Sequence, residues 1–143
     1  MRIYRDARRR AGALAALLIA LSVPTPHASA QCLKKGSTHE QILRSRALNV
    51  ALPAYPPEAL DEKAVGVAVA QLELDETGAV KAVKILQAGH PAIGRAVYEA
   101  VTRWKFKPFT IAGAPACVQG KLTFYFEINE AGQGVVRNPK VYG

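Results

Sequence analysis

Apolar and polar residues alternate strictly along residues 121–128. Leu122, Phe124, Phe126 and Ile128 form one row, and Lys121, Thr123, Tyr125 and Glu127 form the other. A period of two predicts a strand with one buried face, as in an antiparallel sheet covered by helices on one side. A second strand is predicted over residues 65–74, where Val65, Val67 and Val69 alternate with small residues. This spacing suggests burial on both faces near the strand's start. Asp75-Glu76-Thr77-Gly78 reads as a turn, and residues 79–86 return as a third strand, completing a hairpin. The period then changes. Ile93, Val97, Ala100, Val101 and Trp104 lie on one helical face behind Pro91, which suits a helix's first turn. Lys107-Pro108 ends that element.

Shorter signals complete the pattern. Pro57 and Glu58 predict a brief helix over residues 57–63. Thr38 followed by Gln41 resembles a capping box and predicts a helix over 38–48. Residues 113–115 read as a loop, and residues 129–143, with three glycines, as a flexible tail. The expected fold class is α+β: a small three-stranded antiparallel sheet with two helices packed on one face.

The N-terminus changes how charge is read. Arg2, Arg5, Arg8, Arg9 and Arg10 precede an uncharged run over residues 11–23, and Ala28-Ser29-Ala30 follows two prolines. A membrane-crossing helix needs about 20 apolar residues. The run is shorter than that, so residues 1–30 read as a signal peptide cleaved after Ala30. A retained anchor over residues 11–23 is the alternative. The chain carries 19 Lys+Arg against 11 Asp+Glu, a net charge of +8. Residues 1–30 hold five Arg and one Asp, so cleavage leaves 14 against 10, about +4. The basic character therefore belongs largely to the leader and is poor evidence for nucleic-acid binding, so no nucleic-acid partner is expected. An oxidising compartment would permit a disulfide between Cys32 and Cys117, with two free thiols as the alternative.

Catalytic and metal signatures are absent from the sequence. His39 and His90 have no spaced partners for a metal site, and His90 before Pro91 reads as a helix-start residue. There is no nucleophile elbow, phosphate loop or dinucleotide fingerprint. Trp104 continues an apolar face and reads as core rather than as a binding platform. The expectation is a protein with no enzymatic activity, no cofactor and no metal.

Several segments in register resemble one family. Pro53-Ala54-Tyr55-Pro56 with Ala59 and Gly66, the hairpin Val69–Gly78, Trp104-Lys105-Phe106-Lys107-Pro108, Gly113-Ala114-Pro115 and the strand through Phe126 are similar to the C-terminal domain of TonB energy transducers. The resemblance covers about residues 52–128, after a polar lead over 31–51. It implies a periplasmic module that captures an extended segment of an outer-membrane transporter (a TonB-box-like peptide) by strand addition. It places peptide contacts at Leu52, Pro53, Ala54 and Tyr55, with Phe124 and Phe126 on the closing strand. Leu52-Pro53 stands where the family often has Gln-Pro, and leucine offers no amide to a peptide. The long Pro-rich spacer of the transducers is also missing. Two other readings are an inner-membrane transducer for siderophore or cobalamin transport and an envelope protein that self-associates through exposed edges, for example as a homodimer.

Cleavage predicts a mature species beginning at Gln31. Intact mass of protein recovered from a periplasmic extract checks this; membrane-bound chains retaining residues 1–30 would reject it.

Overall fold

The computed structural model describes residues 32–138. The expected signal segment, residues 1–30, lies outside them. The described chain is α+β, with three short helices and a mostly antiparallel sheet.

Its centre is a ladder of nine consecutive pairs between β3 (Gly66–Leu74) and β7 (Ala114–Ile128), from Gly66↔Phe126 to Leu74↔Val118. β4 (Val80–Gln87) returns from β3 through the expected turn. Asp75 Oδ1 accepts from the Thr77 amide at 2.8 Å, the Thr77 hydroxyl at 2.6 Å and the Ala79 amide at 3.1 Å. Burial alone would raise the Asp75 pKa, but these bonds hold it below its ordinary value. Gly78 has φ +83° and lies directly against the Phe106 carbonyl, which leaves no room for a Cβ.

One face of the sheet is apolar and covered. Ala68, Ala70, Leu72 and Leu74 of β3 and Leu122, Phe124 and Phe126 of β7 are fully or almost fully buried. α2 (Pro57–Asp61) and α3 (Pro91–Val101) lie with this core, which receives Ala59, Ile93, Val97 and Val101. The predicted two-sided burial of the second strand is not found. Its alanines face the core, while Val67 and Val69 are only half-buried and Val65 is exposed. Small residues on the core side leave room for large neighbours there. Trp104 and Phe124 meet edge to face at 5.9 Å between ring centroids.

α3 opens as expected. His90 caps it, its Nδ1 accepting from the Ala92 amide at 3.1 Å. The helix ends at Val101, so Trp104 lies in the following turn rather than on the helix itself. Trp104 is nonetheless core, with 2% exposure. Lys105–Phe106 forms β5 and pairs with β2 (Ala47–Asn49).

The sheet has six strands, so the three-stranded expectation is corrected. The additions come from segments with weak patterns. The expected helix over 38–48 shrinks to α1 (Glu40–Ser45), capped at His39 without a side-chain bond; β1 (Lys35–Ser37) precedes it and β2 follows. β1 runs parallel to β7 at Cys117–Gln119. The expected loop at 113–115 becomes part of a hairpin between β6 (Phe109–Ile111) and an extended β7. Residues 129–138, expected as tail, form a second hairpin: β8 (Gly134–Arg137) pairs with β7 at Tyr125–Ile128. Cys32 and Cys117 are joined by a disulfide, as the sequence allows. With 84 residues enclosed, such a link contributes roughly 4 kcal/mol in the chain-entropy model.

Replacing Gly78 with alanine is expected to destabilise the fold by about 1–3 kcal/mol, through positive φ and the contact with the Phe106 carbonyl. Urea denaturation checks this; an unchanged midpoint would reject the packing described.

Candidate functional site

Strand addition needs an open sheet edge, so the two outer edges are the places to examine. The edge of β7 that faces away from β3 is closed by the chain itself. At one end the Cys117 amide donates to the Lys34 carbonyl at 3.0 Å, and the Thr38 amide donates to the Gln119 carbonyl at 2.9 Å. At the other end β8 pairs with Tyr125–Ile128. Between them, side chains from α1 take the place of a strand. Glu40 Oε1 accepts from the Thr123 amide at 2.6 Å, and Glu40 Oε2 accepts from the Thr123 hydroxyl at 2.8 Å. Arg44 Nη2 donates to the Thr123 carbonyl at 2.5 Å. Arg44 Nε also donates to Glu40 Oε1 at 2.9 Å, and the guanidinium lies 5.5 Å from the centre of the Phe124 ring. Burial lowers the Arg44 pKa, opposed by its bond and attraction to Glu40. One carboxylate and one guanidinium thus satisfy both backbone groups of Thr123.

The side chains expected to touch a peptide are placed mostly inside. Phe124 and Phe126 are 0% and 1% exposed, so neither side chain is available to a partner. Their alternation in sequence marks the core row of β7, and the same row cannot face a ligand. Tyr55 is half-buried against Phe126, edge to face at 5.4 Å, and its hydroxyl donates to the Ala64 carbonyl. Gly134 of β8 packs on the Tyr55 ring. Pro53 is buried, and the Trp104 indole donates to the Ala51 carbonyl at 2.9 Å. Residues 51–55 are therefore a strap fixed at both ends. Of the expected contacts, only Leu52 and Ala54 present exposed side chains. The structure keeps Tyr55 and Phe126 together but turns both toward the core.

The opposite edge differs. β4 pairs with β3, and among the described residues no strand pairs with its other side along Val80–Gln87, although an isolated bridge joins Ala79, just before it, to Lys105 of β5. Exposed Lys81, Ala82 and Lys84 lie along it. Beside it, between β4 and α3, is a groove of about 570 Å3 whose lining includes Ile85, Ala88, Gly94 and Tyr98. Sequence reasoning missed Glu40, Arg44 and this edge. The four-residue spacing of Glu40 and Arg44 marks a helical pair, but nothing local shows that the pair reaches Thr123. No group of three or more His, Cys, Asp or Glu suited to a metal occurs among the described residues, and no helix among them is long and apolar enough to cross a membrane.

The geometry defines a class: a small α+β module with helices on one face of a sheet, one edge sealed and the other open. Residues 51–128, just over half of the chain, match the family model of the Gram-negative bacterial TonB protein C-terminal. The chain belongs to that family. The fold is similar to the solution NMR structure of the Pseudomonas aeruginosa TonB C-terminal domain, with a TM-score of 0.51 and 22% identity, covering 59% of this chain and 87% of that one. No curated protein matches the chain. β1, α1, β2 and β8 all lie outside the family-matched residues. The elements that seal β7 are thus additions to the family's span.

Replacing Glu40 with alanine is expected to destabilise the protein by about 2–4 kcal/mol, because it leaves Arg44 buried without its counter-charge. Adding Arg44→Met should recover part of the loss. Denaturation of both variants checks this; additive losses would show that the two residues are not coupled.

Proposed function

We propose that this protein is a periplasmic TonB-like binding module, exported by residues 1–30, that captures an extended segment of an outer-membrane transporter or another envelope protein by strand addition. Membership of the TonB C-terminal family carries the reading, and the open backbone edge of β4 supports it physically. In this mode main-chain hydrogen bonds supply affinity and alternate side-chain contacts supply selectivity. It requires no nucleophile, base or metal from the chain.

Residues 32–50 and 129–138 supply β1, α1, β2 and β8 around the family-matched span. The proposed role of β1, α1 and β8 is to keep β7 from pairing with a partner, while β2 pairs with β5. An unprotected edge strand is a template for unselective association.

Titration of TonB-box peptides into isotope-labelled protein tests the function. Amide shifts along one edge strand are expected. Replacing a central peptide residue with proline should abolish them, since proline removes a ladder donor. Equal binding of the proline peptide would reject strand addition.

A further inference from the structure

The β4 edge and the β4–α3 groove form one surface, and we propose that it docks a short extended peptide that is acidic and carries an apolar side chain. The inference rests on the strand-addition reading and names its place and chemistry.

The backbone comes first. β4 is eight residues long and contains no proline, so its ladder groups are intact. Its pairing with β3 is interrupted near both ends, between Glu73 and Leu74 and between Val69 and Ala70. These irregularities flank Ala82–Ile85, which pair in unbroken register with Ala70–Glu73. Bulges at strand ends limit indiscriminate pairing. They leave a docking length of a few residues, suited to a peptide segment rather than to a long strand.

The side chains then select. Val83 and Ile85 turn toward the helices and pack against the core, while Lys84, between them, points to the other face. A strand added beside β4 alternates in the same way, so every second side chain is directed toward α3. There the groove offers Ile85, Ala88, Gly94 and the exposed ring of Tyr98. Gly94 sets the depth of this floor. A Cβ at that position would lie 3.4 Å from the Ala88 Cβ and 3.6 Å from Ile85 Cγ2. This apolar floor can receive an apolar side chain of such a strand.

Charge supplies the remaining selectivity. Lys81 and Lys84 are exposed on the edge, and neither takes part in an ion pair among the described residues. At the groove, Arg95 is engaged by Glu58 at 3.0 Å and Glu99 also lines it, so the groove side takes the apolar residue and the carboxylates belong on the side of Lys84. An incoming strand with carboxylates beside its apolar anchor is attracted to this edge, whereas a lysine-bearing strand is repelled.

The test uses the full mature chain, isotope-labelled, with two synthetic ten-residue peptides: one alternating Glu with Leu, and one in which Lys replaces Glu. The Glu peptide is expected to shift amides of β4 together with Gly94 and Tyr98. The Lys peptide should bind at least tenfold more weakly. Lys81→Glu with Lys84→Glu should reverse that preference, and Tyr98→Ala should weaken binding of both peptides while leaving the folded spectrum intact. Shifts confined to β7 or the 51–55 strap would overturn this site while leaving strand addition standing. Concentration-dependent β4 shifts without peptide would assign the edge to a second copy and overturn the peptide proposal. Absence of binding by both peptides would overturn it as well, while the transporter-peptide titration decides strand addition separately.

Discussion

The nine-pair ladder between β3 and β7 is the constraint on which the rest depends. It places Ala68, Ala70 and Leu72 beside Leu122, Phe124 and Phe126 on one face, where α2 and α3 find their contacts. It also decides which strands become edges. With β3 flanked by β7 and β4, only the far sides of those two strands remain to be closed or left open. A shift of one residue in this ladder would turn the core row outward. The alternation over 121–128 therefore specifies more than a single strand.

That alternation is also why much of the fold is legible in the sequence. The strand through Phe126, the hairpin around Asp75–Gly78 and the helix behind His90-Pro91 each carry a local signal that survives in the structure. The segments misread are short and lack a period. β1, β2, β6 and β8 are only three or four residues long and exist because a neighbour completes them. The polar lead gains structure through Cys32–Cys117 and through Leu43, which is fully buried beside Gly120. No reading of residues 31–51 alone reveals those partners, since the contacts lie some eighty positions away.

The candidate site was less legible than the fold. A resemblance places function at segments in a family pattern, and for Leu52–Tyr55 and Phe124–Phe126 that pattern coincides with core packing. Tyr55, Pro53 and both phenylalanines hold the sheet and strap together. The edges themselves are a tertiary property. Whether a strand is central or peripheral depends on what pairs beside it, and Glu40 with Arg44 shows that side chains can act as that neighbour.

The disulfide also determines how tension would travel through this molecule. A pull applied to residues preceding Cys32 enters Cys117 directly and reaches the central ladder without passing through residues 33–116. β1 is then bypassed instead of being unzipped from β7 one hydrogen bond at a time. The covalent link anchors the leading segment at Cys117, near the start of β7 and next to the first ladder pair, so that load is borne by the longest strand of the sheet and not by its three-residue companion.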